Sequence, residues 1–192
     1  MPLNFIEFNN KKYPEHQSVG GASLWVRDLA KFYLSGVGLD IGYYKEKWMF
    51  PGAIGIEPSI DPTYHAMHLP KGQFDYIHSS HCLEHVNENY CNVLDYWLSK
   101  IKVGGMLFLY LPHKSQEYWN VWSNRKHIHE FEGSEIETYL NRLGHKVYVS
   151  GVDHNNSFVV ICEKMEIPSY IKGGIYDNNY PNINTNDKRT SI

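Results

Sequence analysis

The chain has 192 residues and a formal net charge of −3, and 42% of its residues are hydrophobic. This length allows one compact α/β domain with a substantial core and is short for two domains. Because the charge is slightly negative and the basic residues form no long run, non-specific binding to nucleic acid is disfavoured.

The cysteines and the hydropathy pattern indicate a compartment. The three cysteines are widely spaced, include no C-x-x-C pair and suit a reducing environment. The chain opens without a basic region followed by an apolar run, and no stretch approaches the length of a membrane span. We therefore expect a soluble, cytoplasmic protein.

Helix and strand patterns alternate through the first half of the chain. Apolar residues spaced four apart, Trp25, Leu29 and Tyr33, with Val26 and Ala30 beside them, predict an amphipathic helix over residues 22–34. Three short buried strands are predicted after it, at residues 37–42, 53–57 and 74–79. The link between the first two strands is close to the minimum for joining parallel strands, so it should hold at most a clipped helix. Residues 59–68 show no clear strand pattern.

A second helix and a central strand are predicted in the middle of the chain. An apolar stripe from Tyr90 to Ile101 favours a helix, which Gly104 and Gly105 are expected to end. The run at 106–111 is apolar at every position, as in a strand that helices cover on both faces.

The last part of the domain is predicted to contain one helix and two strands. A capping-box pattern from Ser134 to Glu137 is expected to open a helix that runs to Leu143. An antiparallel pair of strands is predicted after it, at residues 146–150 and 157–163. Beyond Lys164 the sequence is rich in Asn, Gly, Pro and Tyr, so we expect one domain over 1–164 and a flexible tail over 165–192.

Alternating strands and helices predict a three-layer α/β sandwich with a mostly parallel sheet and an antiparallel final strand. Ligands of such sheets bind beyond the carboxyl ends of the strands, near a switch in strand order. Asp40, Glu57 and His81 lie at or next to the ends of three predicted strands. We therefore expect these three side chains at the functional edge of the sheet.

Several segments, in order, carry a resemblance to a known family. They are Val37–Gly42, Gly55–Ser59, His65–Pro70 with Phe74–Ile77, Ser79–Val86 and Lys102–Leu107. These segments resemble the successive motifs of class I S-adenosylmethionine-dependent methyltransferases, and ordered motifs are more specific than any single motif. The resemblance covers about Gly36 to Gly144. It implies a Rossmann-like fold, an enzyme that transfers methyl groups, and S-adenosylmethionine as the cofactor.

The resemblance also implies which residues hold the methyl donor. They are Asp40, Gly42, Glu57, Pro58, Ala66, Met67, Ser79, Ser80 and His81, the last three forming a floor beside the methionyl part. The implied role of Glu57 is to accept hydrogen bonds from both ribose hydroxyls. Asp40 would face the ammonium and sulfonium side, and Gly42 would let the backbone approach the donor closely. The backbone of Ala66 and Met67 would edge the adenine.

Eleven histidines offer candidates for acid–base chemistry. One of His81, His113 or His129 is expected to act as general base toward an acceptor hydroxyl or amine, since a near-neutral imidazole suits that task. His85 is expected to be structural and to face the core from a helix. This interpretation assigns no residue to a metal.

Metal-binding alternatives remain beside that interpretation. His81, Glu84 and His85 fit the H-x-x-E-H pattern of one group of zinc metalloproteases, so a zinc-dependent hydrolase is a less favoured function. A second possible ligand set comes from alternate positions of one extended segment and from the end of the central strand, namely His127, His129 and His113. Aromatic residues near these histidines suggest instead a lid or acceptor pocket, namely Tyr118, Trp119, Trp122 and Phe131.

The preferred function is methyl transfer to oxygen or nitrogen of a small-molecule or sugar-bearing (glycan) acceptor. The strand that carries Tyr76 and Ile77 lacks the N-P-P-Y-type ending that the resemblance would require for methylation of DNA bases. The G-x-G-x-x-G loop of dinucleotide-binding proteins is also missing. A non-catalytic binding or assembly module on the same fold is the alternative, and the oligomeric state stays open.

Overall fold

A computed structural model describes residues 4–15, 21–118 and 127–166. The predicted tail, apart from its first two residues, lies outside this part of the chain, as do the predicted lid residues Trp119 and Trp122. The single domain over 1–164 stays a prediction. None of the helices in the described ranges has the length and apolar character needed to cross a membrane.

An N-terminal hairpin that the sequence analysis missed precedes the main sheet. It consists of the antiparallel strands β1 (Phe5–Phe8) and β2 (Lys11–Pro14). The two residues between them, Asn9 and Asn10, have φ angles of 50° and 60°. Asparagine tolerates this left-handed conformation, which matches the twist of a two-residue hairpin. The ring of Tyr13 packs on Tyr118, so the hairpin contacts the segment after the central strand.

A six-stranded sheet forms the centre of the protein. Its strands are β3 (Gly38–Ile41), β4 (Ile54–Ile56), β5 (Phe74–Ser80), β6 (Ile101–Pro112), β7 (Lys146–Val149) and β8 (Ser157–Glu163). Their spatial order is β4-β3-β5-β6-β8-β7. The first four strands of this order are parallel, and β8 runs antiparallel to both β6 and β7. The predicted mostly parallel sheet with an antiparallel end is confirmed.

Helices cover both faces of this sheet. They are α1 (Ser23–Tyr33), α2 (Tyr90–Ser99) and α3 (Gly133–Arg142). Because successive strand residues point to opposite faces, Ile77 and Leu107 pack in the core beneath α2 and α3. Tyr76 and Phe108 pack in the second core, beneath α1. The three-layer architecture is therefore confirmed.

The buried face of α1 takes in only part of the predicted apolar face. Val26 and Ala30 are buried, whereas Leu29 and Tyr33 are 43% and 39% exposed. The two residues predicted beside the main stripe therefore form the centre of the buried face, one position and about 100° along the helix from Trp25 and Leu29.

The glycine pair that was predicted to end α2 lies inside a strand instead. The helix ends at Ser99 and β6 begins at Ile101. Gly104 has a φ of 79°, and a Cβ on Gly105 would lie 2.6 Å from the backbone oxygen of Asp75. The pairing of β5 and β6 shifts register at this point, so the glycines form an irregularity of the sheet.

The capping box of α3 also lies elsewhere than predicted. Glu132 is the N-cap, and its backbone N–H donates to the carboxylate of Glu135 at 3.2 Å. The helix therefore begins at Gly133, and the predicted box from Ser134 to Glu137 is wrong. Both patterns place an acid three residues after a capping residue, and Glu132 is the one whose backbone is extended.

Two connections leave the β4 side of the sheet thinly covered. The link from β3 to β4 contains only a 3₁₀ turn, Glu46–Trp48, as the clipped crossover predicted. No strand forms between Ile56 and Phe74, a stretch that the structure describes completely. The edge near the end of β4 is consequently enclosed by turns and not by a helix or a further strand.

Candidate active site

The carboxyl ends of the four parallel strands form one edge of the sheet. The chain passes from β3 outward to β4 and then returns to the other side of β3 for β5, so strand order reverses there. Open α/β sheets bind ligands at such a switch point. Gly42, Glu57 and His81 directly follow β3, β4 and β5, and Gly42 N–H donates to the oxygen of Ile56 at 2.9 Å. The structure therefore brings the ends of the predicted motifs together.

Asp40 lies beneath this edge and not on it. Its side chain is 2% exposed. One carboxylate oxygen accepts a 2.6 Å hydrogen bond from the backbone N–H of Phe50, and the other lies 2.6 Å from Nδ1 of His78. Because the Asp40 side chain is buried and contacts only groups of the protein, the implied contact of Asp40 with the ammonium and sulfonium of a donor has no exposed carboxylate to make it. A role in holding the switch point together fits its contacts better.

His78 is a site residue that the sequence analysis missed. Its ring is buried between Phe50 and Phe108, with centroid separations of 5.1 and 5.5 Å. The register of β3 against β5 pairs Asp40 directly with His78. A histidine on the same strand face as Phe74 and Tyr76 was the available signal, because a buried polar group needs a partner.

Glu57 lies on the open side of the edge. Its half-buried carboxylate accepts hydrogen bonds from the Tyr44 backbone N–H at 3.2 Å, and from the backbone N–H and hydroxyl of Ser59 at 3.0 and 2.6 Å. A carboxylate has about four lone-pair sites. Three are used in these contacts, so Glu57 retains the capacity to accept a hydrogen bond from a ligand.

Gly42 occupies a position that requires glycine. Its φ is 81°, and a Cβ built there would lie 2.5 Å from both Cβ and Sγ of Cys82. A side chain at this point would be strained by the backbone and would overlap the turn after β5. The group closest to Gly42 is therefore the Cys82 side chain of the protein itself. Tyr44, two residues later, also has a positive φ of 57°.

The two serines at the end of β5 have different environments. Ser79 is fully buried, and its hydroxyl donates to the backbone oxygen of Ile41 at 3.1 Å, which ties β5 to β3. The Oγ of Ser80 is also shielded from solvent but has no hydrogen-bond partner among the described residues. A buried hydroxyl without a partner is costly, so Ser80 is the serine that a ligand would satisfy.

The loop predicted to edge the adenine is anchored by its own hydrogen bonds. The oxygen of Ala66 accepts from Nε1 of Trp97 on α2 at 2.7 Å, and the N–H of Met67 donates to Nδ1 of His65 at 3.2 Å. Pro58 is exposed after Glu57. These contacts fix the loop, while the side chains of Ala66 and Met67 remain partly buried.

His81 stands where the chain leaves β5. It has a φ of 50°, a conformation that is costly for a residue other than glycine and is found at functional sites. Its Nε2 lies 3.0 Å from the hydroxyl of Ser157 on β8, and its Nδ1 lies 3.7 Å from a carboxylate oxygen of Glu84. The imidazole thus joins the middle of the sheet edge to the turn that follows β5.

His113 and His129 border one small surface pocket at the end of β6. Its lining comprises Pro112, His113, Lys114, Gln116, His127, His129 and Glu130. Nδ1 of His113 accepts a hydrogen bond from the backbone N–H of Ser115 at 3.2 Å. Nε2 of His129 donates to the backbone oxygens of Val86 and Glu88, at 3.0 and 2.9 Å. His129 therefore keeps its other ring nitrogen for a different contact.

The H-x-x-E-H segment is not the helix that a zinc metalloprotease requires. Leu83–His85 forms one 3₁₀ turn, and His81 precedes it in the left-handed region. The two imidazoles consequently do not share one face of an α-helix. The expectation that His85 faces the core is wrong as well, since its side chain is 34% exposed.

Burial shifts the titration of two groups near this turn. It raises the pKa of the fully buried Glu84 carboxyl to about 8. Burial, with the nearby His85 imidazole as a smaller cause, lowers the pKa of His127 to about 4. His127 is therefore a neutral imidazole near pH 7.

Residues 20–149 match a family model described as a methyltransferase domain. The chain belongs to this methyltransferase family. The protein is accordingly an S-adenosylmethionine-dependent methyltransferase with a class I, Rossmann-like fold. No curated protein matches the methyltransferase in sequence.

Solved structures share its fold at low sequence identity. A methyltransferase from Thermotoga maritima, described as a possible histamine N-methyltransferase, is 18% identical, with a TM-score of 0.60 over 74% of this chain and 89% of its own. A putative methyltransferase from Haloferax volcanii, solved with its activator, is 10% identical, with a TM-score of 0.57 over 79% of this chain and 97% of its own. A Burkholderia thailandensis 1,6-didemethyltoxoflavin-N1-methyltransferase is 12% identical, with a TM-score of 0.56 over 79% and 80%.

Proposed function

We propose that the methyltransferase binds its donor between the ends of β4 and β5 and transfers the methyl group to oxygen or nitrogen of a small-molecule or sugar-bearing acceptor. The observation that carries this proposal is the half-buried Glu57 carboxylate at the switch point, with accepting capacity left after its own three hydrogen bonds. A ribose supplies the hydroxyl donors that such a carboxylate accepts.

The residues at this edge fit the donor. Ser80 Oγ, which lacks a partner among the described residues, would hydrogen-bond the donor beside His81. Gly42 would bring the chain close to it, and the loop containing Ala66 and Met67 would edge the adenine. When bound, S-adenosylmethionine supplies an electrophilic methyl group. The protein then has to hold acceptor and donor in line and to remove a proton from the acceptor.

Asp40 would act in this proposal as a positioning residue. Its carboxylate holds the Phe50 backbone and His78 together beneath the edge. It therefore fixes the ends of β3 and β5 without meeting the donor.

The acceptor is proposed to be small. Two proteins of the same fold are described as a possible histamine N-methyltransferase and a 1,6-didemethyltoxoflavin-N1-methyltransferase, and this supports a small acceptor. The pocket that His113 and His129 line opens at the same end of the sheet. We place the reaction in the cytoplasm, because all three cysteines lack a disulfide partner.

The donor site is tested by titrating the purified methyltransferase with S-adenosylmethionine and S-adenosylhomocysteine in a calorimeter. Glu57→Ala should weaken binding roughly ten- to hundred-fold, because a charge-assisted hydrogen bond to the ribose is lost. Glu7→Gln, in the exposed part of the N-terminal hairpin, is the control and should bind as the wild type does. Unchanged affinity of Glu57→Ala would contradict the assignment.

The general base is proposed to be one of His81, His113 and His129. An acceptor is first identified by screening amine and hydroxyl compounds with labelled methyl donor. Alanine variants of the three histidines are then compared for turnover at saturating donor. We expect one of them to lose about 10²- to 10⁴-fold in kcat, the usual contribution of a positioned base. Full turnover by all three variants would remove the idea.

A further inference from the structure

Glu84 is a fully buried residue whose carboxylate accepts no hydrogen bond within the described part of the chain. It lies in the 3₁₀ turn after β5, and neither of its oxygens has a hydrogen-bond partner among the described residues. Burying an ionised carboxylate without partners is among the most costly arrangements in a protein. The residue therefore either carries a proton or meets a cation.

Two imidazoles approach this carboxylate from different parts of the chain. His85 Nε2 lies 3.8 Å from a Glu84 oxygen, and the ring of His127 packs edge-on against that of His85 with centroids 4.5 Å apart. One ligand atom from each of Glu84, His85 and His127 lies within 4.8 Å of the other two. His81 Nδ1 adds a third imidazole 3.7 Å from the same Glu84 oxygen.

The backbone holds the two contributing segments together independently of these side chains. The backbone oxygen of Glu84 accepts hydrogen bonds from the backbone N–H groups of Ile128 and His129, at 2.7 and 3.2 Å. His129 Nε2 clamps the other side of the turn through the oxygens of Val86 and Glu88. The cluster is thus supported by a defined scaffold and is not an accident of mobile surface side chains.

We propose that Glu84, His85 and His127 bind a divalent transition-metal ion such as Zn²⁺, with His81 placed to become a fourth ligand. One carboxylate oxygen and neutral imidazole nitrogens are the ligands that Zn²⁺ takes in sites with an open position. Zinc–ligand bonds of about 2.0–2.1 Å would bring ligand atoms to about 3.4 Å from one another in a tetrahedron, so the ligand atoms need to approach one another by at most about 1.4 Å.

Other contacts at the cluster fit this role. His81 Nε2 faces the Ser157 hydroxyl while its Nδ1 faces Glu84. Histidines that bind metals commonly engage their second nitrogen with a neighbouring polar group. A cation would also offset the cost of burying the Glu84 charge. The set differs from both ligand sets considered from sequence, since it adds His127 to the residues of the H-x-x-E-H segment and leaves out His113 and His129.

The test measures metal binding by the whole protein, without donor or acceptor. After treatment with a chelator and dialysis, the methyltransferase is titrated with Zn²⁺ in a calorimeter, and its metal content is measured by mass spectrometry. We expect one equivalent of Zn²⁺, and at least tenfold weaker binding by Glu84→Gln and by His127→Asn. His145→Asn is the matched control, because His145 is equally buried but lies outside the cluster, with Nδ1 accepting from Met165 N–H. It should bind Zn²⁺ as the wild type does.

A melting experiment separates metal loss from misfolding. Zn²⁺ should raise the Tm of the wild type and of His145→Asn and leave that of Glu84→Gln unchanged, while circular dichroism shows all variants folded. A wild type that binds no stoichiometric Zn²⁺, or a folded Glu84→Gln that binds it equally well, would overturn the proposal. Either result would leave the donor site untouched, since donor binding is measured separately.

Discussion

Two neighbouring strand ends carry the same sequence signature and differ in what their acids do. Asp40 on β3 is buried, and its carboxylate contacts only the Phe50 N–H and His78. Glu57, one strand away, is half-buried and keeps accepting capacity. The difference arises because the Asp40 side chain points into the α1 core, whereas Glu57 follows the last residue of its strand. An acidic residue at a strand end therefore stabilises the fold when its side chain is buried in the core, and can bind a ligand when its side chain lies at the open edge.

The largest effect should come from breaking the buried pair. Asp40→Ala leaves His78 and the Phe50 N–H without their partner, and removing one member of such a pair costs about 3 to 5 kcal/mol. Denaturant unfolding followed by circular dichroism measures the loss. A double-mutant cycle with His78→Phe is the control, because most of the cost should vanish once His78 is apolar. A loss below about 1 kcal/mol for Asp40→Ala would show that the pair does not hold the switch point.

A smaller contrast should separate the two serines at the end of β5. Ser79→Ala removes the hydrogen bond to Ile41 and should lower the free energy of unfolding by about 1 kcal/mol, with little direct effect on the donor. Ser80→Ala removes a buried hydroxyl that has no hydrogen-bond partner among the described residues. The free energy of unfolding should therefore stay the same or rise slightly. Its donor affinity should fall a few-fold, by about the worth of one neutral hydrogen bond. Calorimetry that found equal donor affinity in both variants would contradict this division of roles.

The fold was predictable because it depends on local periodicity and on the order of strands. The parallel sheet, the antiparallel end, the clipped crossover before β4 and the missing strand after it all follow from patterns within short windows. Boundaries were less predictable where two signals compete, as at Gly104 and Gly105, which are typical of a helix stop but lie in β6, where Gly105 closely approaches the Asp75 backbone.

The site was only partly predictable for a different reason. The place of Glu57 follows from its strand alone. The partner of Asp40 depends on the register of β3 against β5, and the approach of His127 to Glu84 depends on a segment far along the chain. Such side-chain contacts arise from packing across the fold. The sequence shows which residue types are present but not which side chains contact one another in the folded protein.

The central claim, that Glu57 holds the donor ribose, is tested most directly by a cycle that changes both partners. Wild type and Glu57→Gln are titrated with S-adenosylhomocysteine and with its 2′-deoxy and 3′-deoxy analogues. The wild type should lose about tenfold in affinity for at least one analogue, since a hydrogen bond to a charged group is removed, whereas Glu57→Gln should lose much less. Equal losses in the two proteins would mean that the ribose is held elsewhere and would contradict the account.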